Sequence, residues 1–492
     1  MRAIRLTLAM LVLACAATHA WCQGTIWTSA DGKRVGLGVS IGKPLDVPPP
    51  TVVRGARPVA NEEQRKQLTP RDLAPLSSKP VMPFLPEVDE LAQPALATQP
   101  AVPAAPEKAC QPTPIADQII ILDEGYARDP SLYVRGEVLL WWARGMRLPP
   151  LVTTDSPNSP QNTRAVPGFN STRLLLGDNT VLGGMRPGAR VTVGWVCDPC
   201  GLYGIEANFF FLTSKRDSAS FDSAQFPVIG RPFFLLNLGI PAAELTSTPE
   251  ANCGNLQVNV STNLHGAELN GRALLWNECD FRLTGIAGFR YLSLQDRLRI
   301  EERATYIANV FAPNHNLIFA VGDRAFLFDE FQTRNRFFGG QIGAEAEWRR
   351  GRWNLEARAK LAIGCTHQSV DINGSQQITS PNGNVRNFTG GLYAVDSNIG
   401  HHTQTRFGFV PEVGLKAAYD INDNIRVFVG YDFLYWSSVL RAGDQIDPVI
   451  DANRVPNSGG PFTAVNQVRP RVPFTTTSFW AHGVSAGFEL RY

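Results

Sequence analysis

Gly483-Val484-Ser485-Ala486-Gly487 sets a serine between two glycines at the spacing of a nucleophile elbow, the sharp strand-to-helix turn that presents a hydroxyl for acyl transfer. Such a serine needs an acid and a histidine later in the chain. Only five residues follow Gly487 and none is histidine, so the motif lacks its context. Cys197-Asp198-Pro199-Cys200 has the spacing of a redox pair or of half a zinc site. No second pair completes the zinc set, and redox folds put the motif at a helix start, whereas here it falls in a tight turn. Gly42-Lys43 hints at a phosphate loop, but Pro44 stands where a serine or threonine would hold the metal. His401-His402 falls in a polar stretch, where a solvated pair is the ordinary outcome. These residues assign no catalytic group, no metal site and no cofactor.

The remaining use of the cysteines is structural. Once a leader containing Cys15 is removed, seven cysteines would enter an oxidising compartment, and an odd number leaves at least one unpaired. Cys197, Cys200 and Cys279 fall in turns on one side of the fold and are expected to share a disulfide. Cys253 and Cys365 fall toward the opposite, outer side, where a second disulfide could join them.

More telling are charges that alternate with oily neighbours. Glu137, Arg190, Glu206, Glu268, Arg272, Arg282, Arg290, Glu345, Glu356, Arg358, Lys360, Arg426, Asp432 and Glu489 all lie opposite apolar residues in stretches of period two. In a membrane such charges can point only into a lumen. Both signs occur in similar number, so they can pair across strands and fill a narrow interior rather than line a wide channel.

The elements that would position them are strands at 133–142, 189–197, 202–212, 266–276, 281–292, 335–348, 352–366, 405–419, 424–436 and 479–492. The clearest puts Trp353, Leu355, Ala357, Ala359, Leu361 and Ile363 on one face and Asn354, Glu356, Arg358 and Lys360 on the other. Connections alternate between tight turns and long loops, the asymmetry of an outer-membrane barrel with short periplasmic turns. The stretch 295–334 also alternates and could add two strands, giving twelve. Trp141, Trp142, Trp348, Trp353, Tyr435, Trp436, Trp480 and Tyr492 fall near strand ends, where membrane girdles place aromatics. The final strand ends on Tyr492, the kind of C-terminal signal that barrel-assembly machinery reads.

Arg2 and Arg5, the apolar run 6–17 and Thr18-His19-Ala20 make residues 1–20 a secretory signal. Cleavage before Cys15 as a lipoprotein fits less well, because Leu13 is poorly suited to its place. Residues 21–130 are rich in proline, with Pro48-Pro49-Pro50, and read as a periplasmic, largely disordered segment. Residues 131–492 form the barrel. The net charge of +2, from 46 basic and 44 acidic residues scattered through strands, gives no case for nucleic acid.

Several segments also resemble a known family. Gly136-Glu-Val-Leu-Leu-Trp-Trp142, Leu148-Pro-Pro-Leu151, Arg190-Val-Thr-Val-Gly194, Arg231-Pro-Phe-Phe234, Gly288-Phe-Arg-Tyr291, Val410-Pro-Glu412, Tyr431-Asp-Phe-Leu-Tyr435, Arg441-Ala-Gly-Asp-Gln-Ile-Asp447 and Phe479-Trp-Ala-His-Gly483 occur in the order of the beta-barrel porin-7 (BBP7) family of planctomycete outer-membrane proteins. The resemblance covers about 133–492 and implies an outer-membrane barrel with no catalytic motif. The 148–151 and 441–447 segments look like outer-rim features.

The expectation is an all-β, antiparallel transmembrane barrel of ten strands, embedded in outer-membrane lipid and passing at most small solutes. A membrane-embedded hydrolase and a secreted β-sandwich are the alternatives. Oligomeric state is left open.

Overall fold

The computed structural model describes residues 132–492 apart from 170, 199, 279, 313 and 314; the leader, the proline-rich segment and Cys279 lie outside the described residues. Ten strands form the main sheet: β1 (Leu132–Ala143), β2 (Gly184–Val196), β3 (Tyr203–Asp222), β4 (Asn252–Asn277), β5 (Phe281–Tyr306), β6 (Arg324–Arg350), β7 (Trp353–Thr379), β8 (Gly400–Asp420), β9 (Ile425–Leu440) and β10 (Thr476–Arg491). Each pairs antiparallel with its sequence neighbour. The ring closes where β1 pairs β10 from Tyr133↔Arg491 to Ala143↔Ala481. Closure leaves no free sheet edge at the chain's ends and excludes the sandwich. The stretch 295–334 adds no barrel strand; it is the upper part of β5 and β6, with a small hairpin of Val310–Phe311 and Leu317–Phe319 between them.

The turns at the end shared by Leu132 and Tyr492 are short for local reasons. Arg350 faces Trp353, leaving Gly351 and Arg352 as a two-residue hairpin, and Gly351 has the positive φ of 61° that such turns demand. At 197–202 the Asp198 carboxylate accepts the Leu202 and Tyr203 N–H groups, at 3.0 and 2.6 Å.

Strands β4 to β7 are 26 or 27 residues long, far more than the ~10 needed to cross a bilayer at a tilt. Their polarity inverts partway up. On β7 the outward residues run Trp353, Leu355, Ala357, Ala359, Leu361 and Ile363, then His367, Ser369, Asp371 and Asn373. The inward residues run Asn354, Glu356, Arg358 and Lys360, then Val370 and Ile372, the last two fully buried. The lower wall is therefore oily outside and charged inside, as lipid requires. The upper wall is polar outside and oily inside, like a water-soluble sheet.

What fills the upper part is the long loops. Met146, Leu148, Leu151 and Val152 from the β1–β2 loop, Ile229 from β3–β4, Leu392 and Tyr393 from β7–β8, and Ile446 and Ile450 from β9–β10 pack on Leu256, Val258, Leu298, Ile300, Phe331, Val370 and Ile372 of the wall. Each large apolar side chain buried this way contributes about 1.5–3 kcal/mol. The loops are thus folded inward as a cap. Segments 148–151 and 441–447 belong to it: Leu151, Ala442 and Gln445 are fully buried, so they are cap core rather than exposed rim.

One seam interrupts the wall. β8 and β9 pair only from Asp420↔Arg426 to Glu412↔Leu434. Pro411, next on β8, has no N–H to give. Two residues further, the Phe409 N–H donates to Ser437 Oγ at 3.0 Å, and β9 itself bulges between Trp436 and Val439. Behind the seam, Trp436 Nε1 donates to Thr366 Oγ1 of β7 at 3.0 Å, and Gln368 donates to the Ser438 carbonyl at 3.2 Å. Side chains span what the backbone ladder does not.

Candidate functional site

The interior is a stack of layers. Lowest are Arg135, Arg272 and Arg358 with Glu206, Glu345, Glu356 and Glu489. Arg272 meets Glu206 at 2.5 Å and also pairs with Glu345; Arg358 meets Glu345 at 2.5 Å and Glu356 at 3.2 Å; Arg135 pairs with Glu489. The Tyr133 hydroxyl donates to Glu206 at 2.7 Å. The next layer holds four cations, Arg190, Arg290, Lys360 and Lys416, and four carboxylates, Glu137, Glu268, Glu412 and Asp432. Lys360 bridges Glu268 (2.8 Å) and Glu412 (3.0 Å), Arg290 bridges the same two at 2.5 Å each, Lys416 meets Glu137 at 2.8 Å, and Arg190 lies 3.3 Å from Asp432. This layer is neutral as a whole, which matters because desolvating an unmatched charge costs several kcal/mol.

Above the charges lies an apolar layer: Leu139, Trp141, Phe210, Leu264, Leu292, Phe337, Leu434, Trp436 and Phe479 are all 0–2% exposed and form one cluster. Trp141 packs on Phe210 with ring centroids 5.7 Å apart, and Phe337 meets Trp436 edge-on at 6.1 Å. The loop cap sits above this layer and is tied to the wall by two buried arginines. Arg441, after β9, pairs with Asp296 of β5 at 2.5 Å, and its Nη1 donates to the carbonyls of Arg144 and Gly145. Arg231, between β3 and β4, pairs with Asp329 of β6 and lies 3.4 Å from Glu302 and 3.5 Å from Glu244, with the Tyr393 ring 4.9 Å away. Asp329 also accepts the backbone N–H groups of Leu392, Tyr393 and Ala394, joining two loops and the wall at one carboxylate.

At the short-turn end the stack opens into a cavity of about 440 Å³ bordered by Arg282, Glu347, Arg349, Arg426 and Arg491. Arg426 is held there by Asp420 at 2.7 Å and Glu347 at 3.1 Å.

All fourteen charged residues expected in the lumen point inward. Thirteen belong to the ion-paired layers or to Arg426 just below; Arg282 instead donates to the Gly201 carbonyl at 3.0 Å beside the cavity. Sequence periodicity missed Arg135, Glu412 and Lys416, although the parity of Arg135 with Glu137 on β1 and the alternation of Glu412 and Lys416 with Val413 and Leu415 on β8 carried the signal. It could not find Arg231, in the short cap strand Ile229–Leu235, or Arg441, in a loop, because neither belongs to a strand of the barrel wall. Two aromatics expected in the girdles are inside the barrel instead: Trp141 and Trp436 are fully buried, because their places on β1 and β9 have the inward parity of Leu139 and Leu434. Trp142, Trp348, Trp353, Tyr435, Trp480 and Tyr492 do face outward. Trp195, Tyr203 and Trp276 join the lower set.

The cysteine expectations are corrected. Cys197, Cys200 and Cys253 are free and exposed, so none of them forms a disulfide, and Cys253 does not pair with Cys365, which is disulfide-bonded elsewhere. Cys253 lies opposite Thr305 on the far upper end of β4, well above Cys365, which lies opposite Phe338. No group of three or more histidine, cysteine or acidic residues among the described ones could hold a metal.

A family model described as Putative beta barrel porin-7 (BBP7) matches residues 133–492. No curated protein matches the chain. Solved structures similar to it include the outer membrane protease OmpT from Escherichia coli, at 11% identity, 75% coverage of this chain, 98% of that one and a TM-score of 0.36. A Pseudomonas aeruginosa FadL homologue follows at 7% identity, 74% and 90% coverage and a TM-score of 0.19. The P. putida toluene transporter TodX gives 10% identity, the same coverages and a TM-score of 0.17.

Proposed function

Because the chain belongs to the Putative beta barrel porin-7 (BBP7) family, and so is an outer-membrane β-barrel protein, we propose that it works as a closed structural and surface barrel with no standing channel. The observation that carries this reading is the apolar layer centred on Trp141, Phe337 and Trp436, packed between the neutral charge lattice and the loop cap. Water or a solute would have to cross all three. Each cation of the lattice faces at least one carboxylate, and such a network stiffens an interior rather than wetting it. The long-loop end, polar on its outer wall, then displays its surface to the outside, and the short turns face the periplasm.

The reading is non-enzymatic. His401 Nδ1 lies 2.5 Å from Asp371 Oδ1, but that pair sits on the outer wall of β8 and β7 with no cysteine or serine among the described residues bonded to it. The closing strand β10 is the segment that assembly machinery would read, and lipid is the partner of the oily band.

Single-channel recording of the purified full chain in planar bilayers tests the proposal. The expected trace is flat or shows rare, brief events; a large steady conductance would overturn it and make the protein a porin passing small solutes.

A further inference from the structure

We propose that Arg334 and Arg336 on β6 form a docking site for the phosphorylated headgroup of an outer-leaflet lipid. Both side chains have the outward parity of Phe338 and Ile342, one and three same-face steps below Arg336, and both are half-buried, so their stems lie against the wall. Alternate residues on a strand lie ~6.6 Å apart, a spacing at which two guanidinium groups can hold one phosphate.

Neither arginine has an ion pair or a hydrogen bond among the described residues, and Arg334 Nε is buried without a partner. Arg297 and Arg299, higher on the neighbouring strand β5, are matched: Glu330 takes them at 2.7 and 2.8 Å. The nearest outward acid, Asp371, one rung up on β7, is occupied by His401. Directly opposite Arg334 and Arg336 stand Gln295 and Ser293 of β5, and Ser369 and His367 of β7, none of them an acid. Two unmatched cations side by side repel one another unless an anion arrives.

The level on the wall says which anion. Immediately below Arg336, the rings of Tyr291 and Phe338 pack with centroids 5.1 Å apart, the aromatic belt that marks the headgroup level. Beneath that belt Phe289 and Ile342 stand 57 and 44% exposed, a greasy strip for acyl chains. Charge above and oil directly below fit a phosphorylated lipid, and a free phosphate would use only the upper half.

The test is native mass spectrometry of the detergent-solubilised full chain with diphosphorylated lipid A, with the same lipid A stripped of phosphates, and with inorganic phosphate. The proposal expects the phosphorylated lipid to be retained at least tenfold more tightly than the stripped one, and Arg334→Gln/Arg336→Gln to abolish that preference while the heat-modifiable gel shift is unchanged. Equal retention of the two lipids by the unaltered protein would overturn it, whatever the variant does. So would an undiminished preference in the double variant, or inorganic phosphate at equal concentration displacing the lipid completely.

Discussion

The Arg441 guanidinium and the Asp296 carboxylate face each other with Nε to Oδ2 at 2.5 Å and Nη2 to Oδ1 at 3.4 Å, and both side chains are no more than 1% exposed. The pair joins the start of the β9–β10 loop to the wall of β5, across the apolar layer. Removing one partner strands the other in the interior, which costs about 3–5 kcal/mol. Arg441→Ala should therefore lower the unfolding midpoint and expose 441–475 to protease while the lower barrel stays closed. Limited proteolysis followed by an unboiled gel reads both; an intact loop would refute the anchor role.

Glu244 gives the cap a pH dependence. It lies in the upper part, outside the lipid-facing band, facing Arg231, Glu302, Asp329 and Tyr306. Its Oε2 is buried without a hydrogen bond, and burial pushes its carboxyl up to about 8, with Glu302 and Asp329 adding to the rise and Arg231 opposing it. A raised carboxyl pKa means that the folded cap holds a proton the unfolded chain has lost, so its contribution is full below about pH 4.5 and is lost as pH rises through about 8. The protection factors of the 229–247 hairpin against hydrogen exchange, which remove the intrinsic pH dependence of the rate, should fall over that window, and Glu244→Gln should flatten the fall. Protection factors that do not change with pH in the unaltered protein would contradict the assignment.

The apolar layer can be breached by volume. Trp436→Ala removes one of the two tryptophans there together with its bond to Thr366, costing about 3–5 kcal/mol, and leaves a void beside the β8–β9 seam. Brief conductance events should become frequent in planar bilayers, while Trp353→Ala, on the lipid face, should leave the trace flat.

Free thiols report orientation. A membrane-impermeant maleimide added to intact cells should label Cys253 at the long-loop end, and Cys253→Ser should remove that label. Cys197 and Cys200, in the β2–β3 turn, should react only after the outer membrane is permeabilised. The opposite pattern would invert the barrel.

Ten strands, their order and most of the lumen charges were readable because the lower wall obeys one rule, oily out and charged in, for a dozen residues at a time. The same rule hid the upper wall. On β4 the oily residues switch from Leu269 outside to Leu264, Val260 and Val258 inside, so a search for one continuous phase ends near Gly266, although the strand begins at Asn252. Trp141 and Trp436 were misplaced because tryptophan next to tryptophan, or next to tyrosine, satisfies either face, and only the parity of Leu139 or Leu434 decides. Arg231 and Arg441 were invisible as interior residues, because nothing local distinguishes an arginine of the cap segments that solvates itself from one that turns inward to meet Asp329 or Asp296.

The seam above Glu412 makes the upper wall a split ring. A complete hoop of hydrogen bonds resists widening all the way round, but a split one resists only through whatever bridges the slit, here the Ser437, Trp436 and Gln368 side chains and the loop that leaves β9 just beyond them. Outward strain on the upper rim therefore concentrates at this line. Any ligand, antibody or phage fibre that grips and pulls the displayed loops would spread the wall at β8 and β9 first, while the fully laddered strands below keep the bilayer sealed.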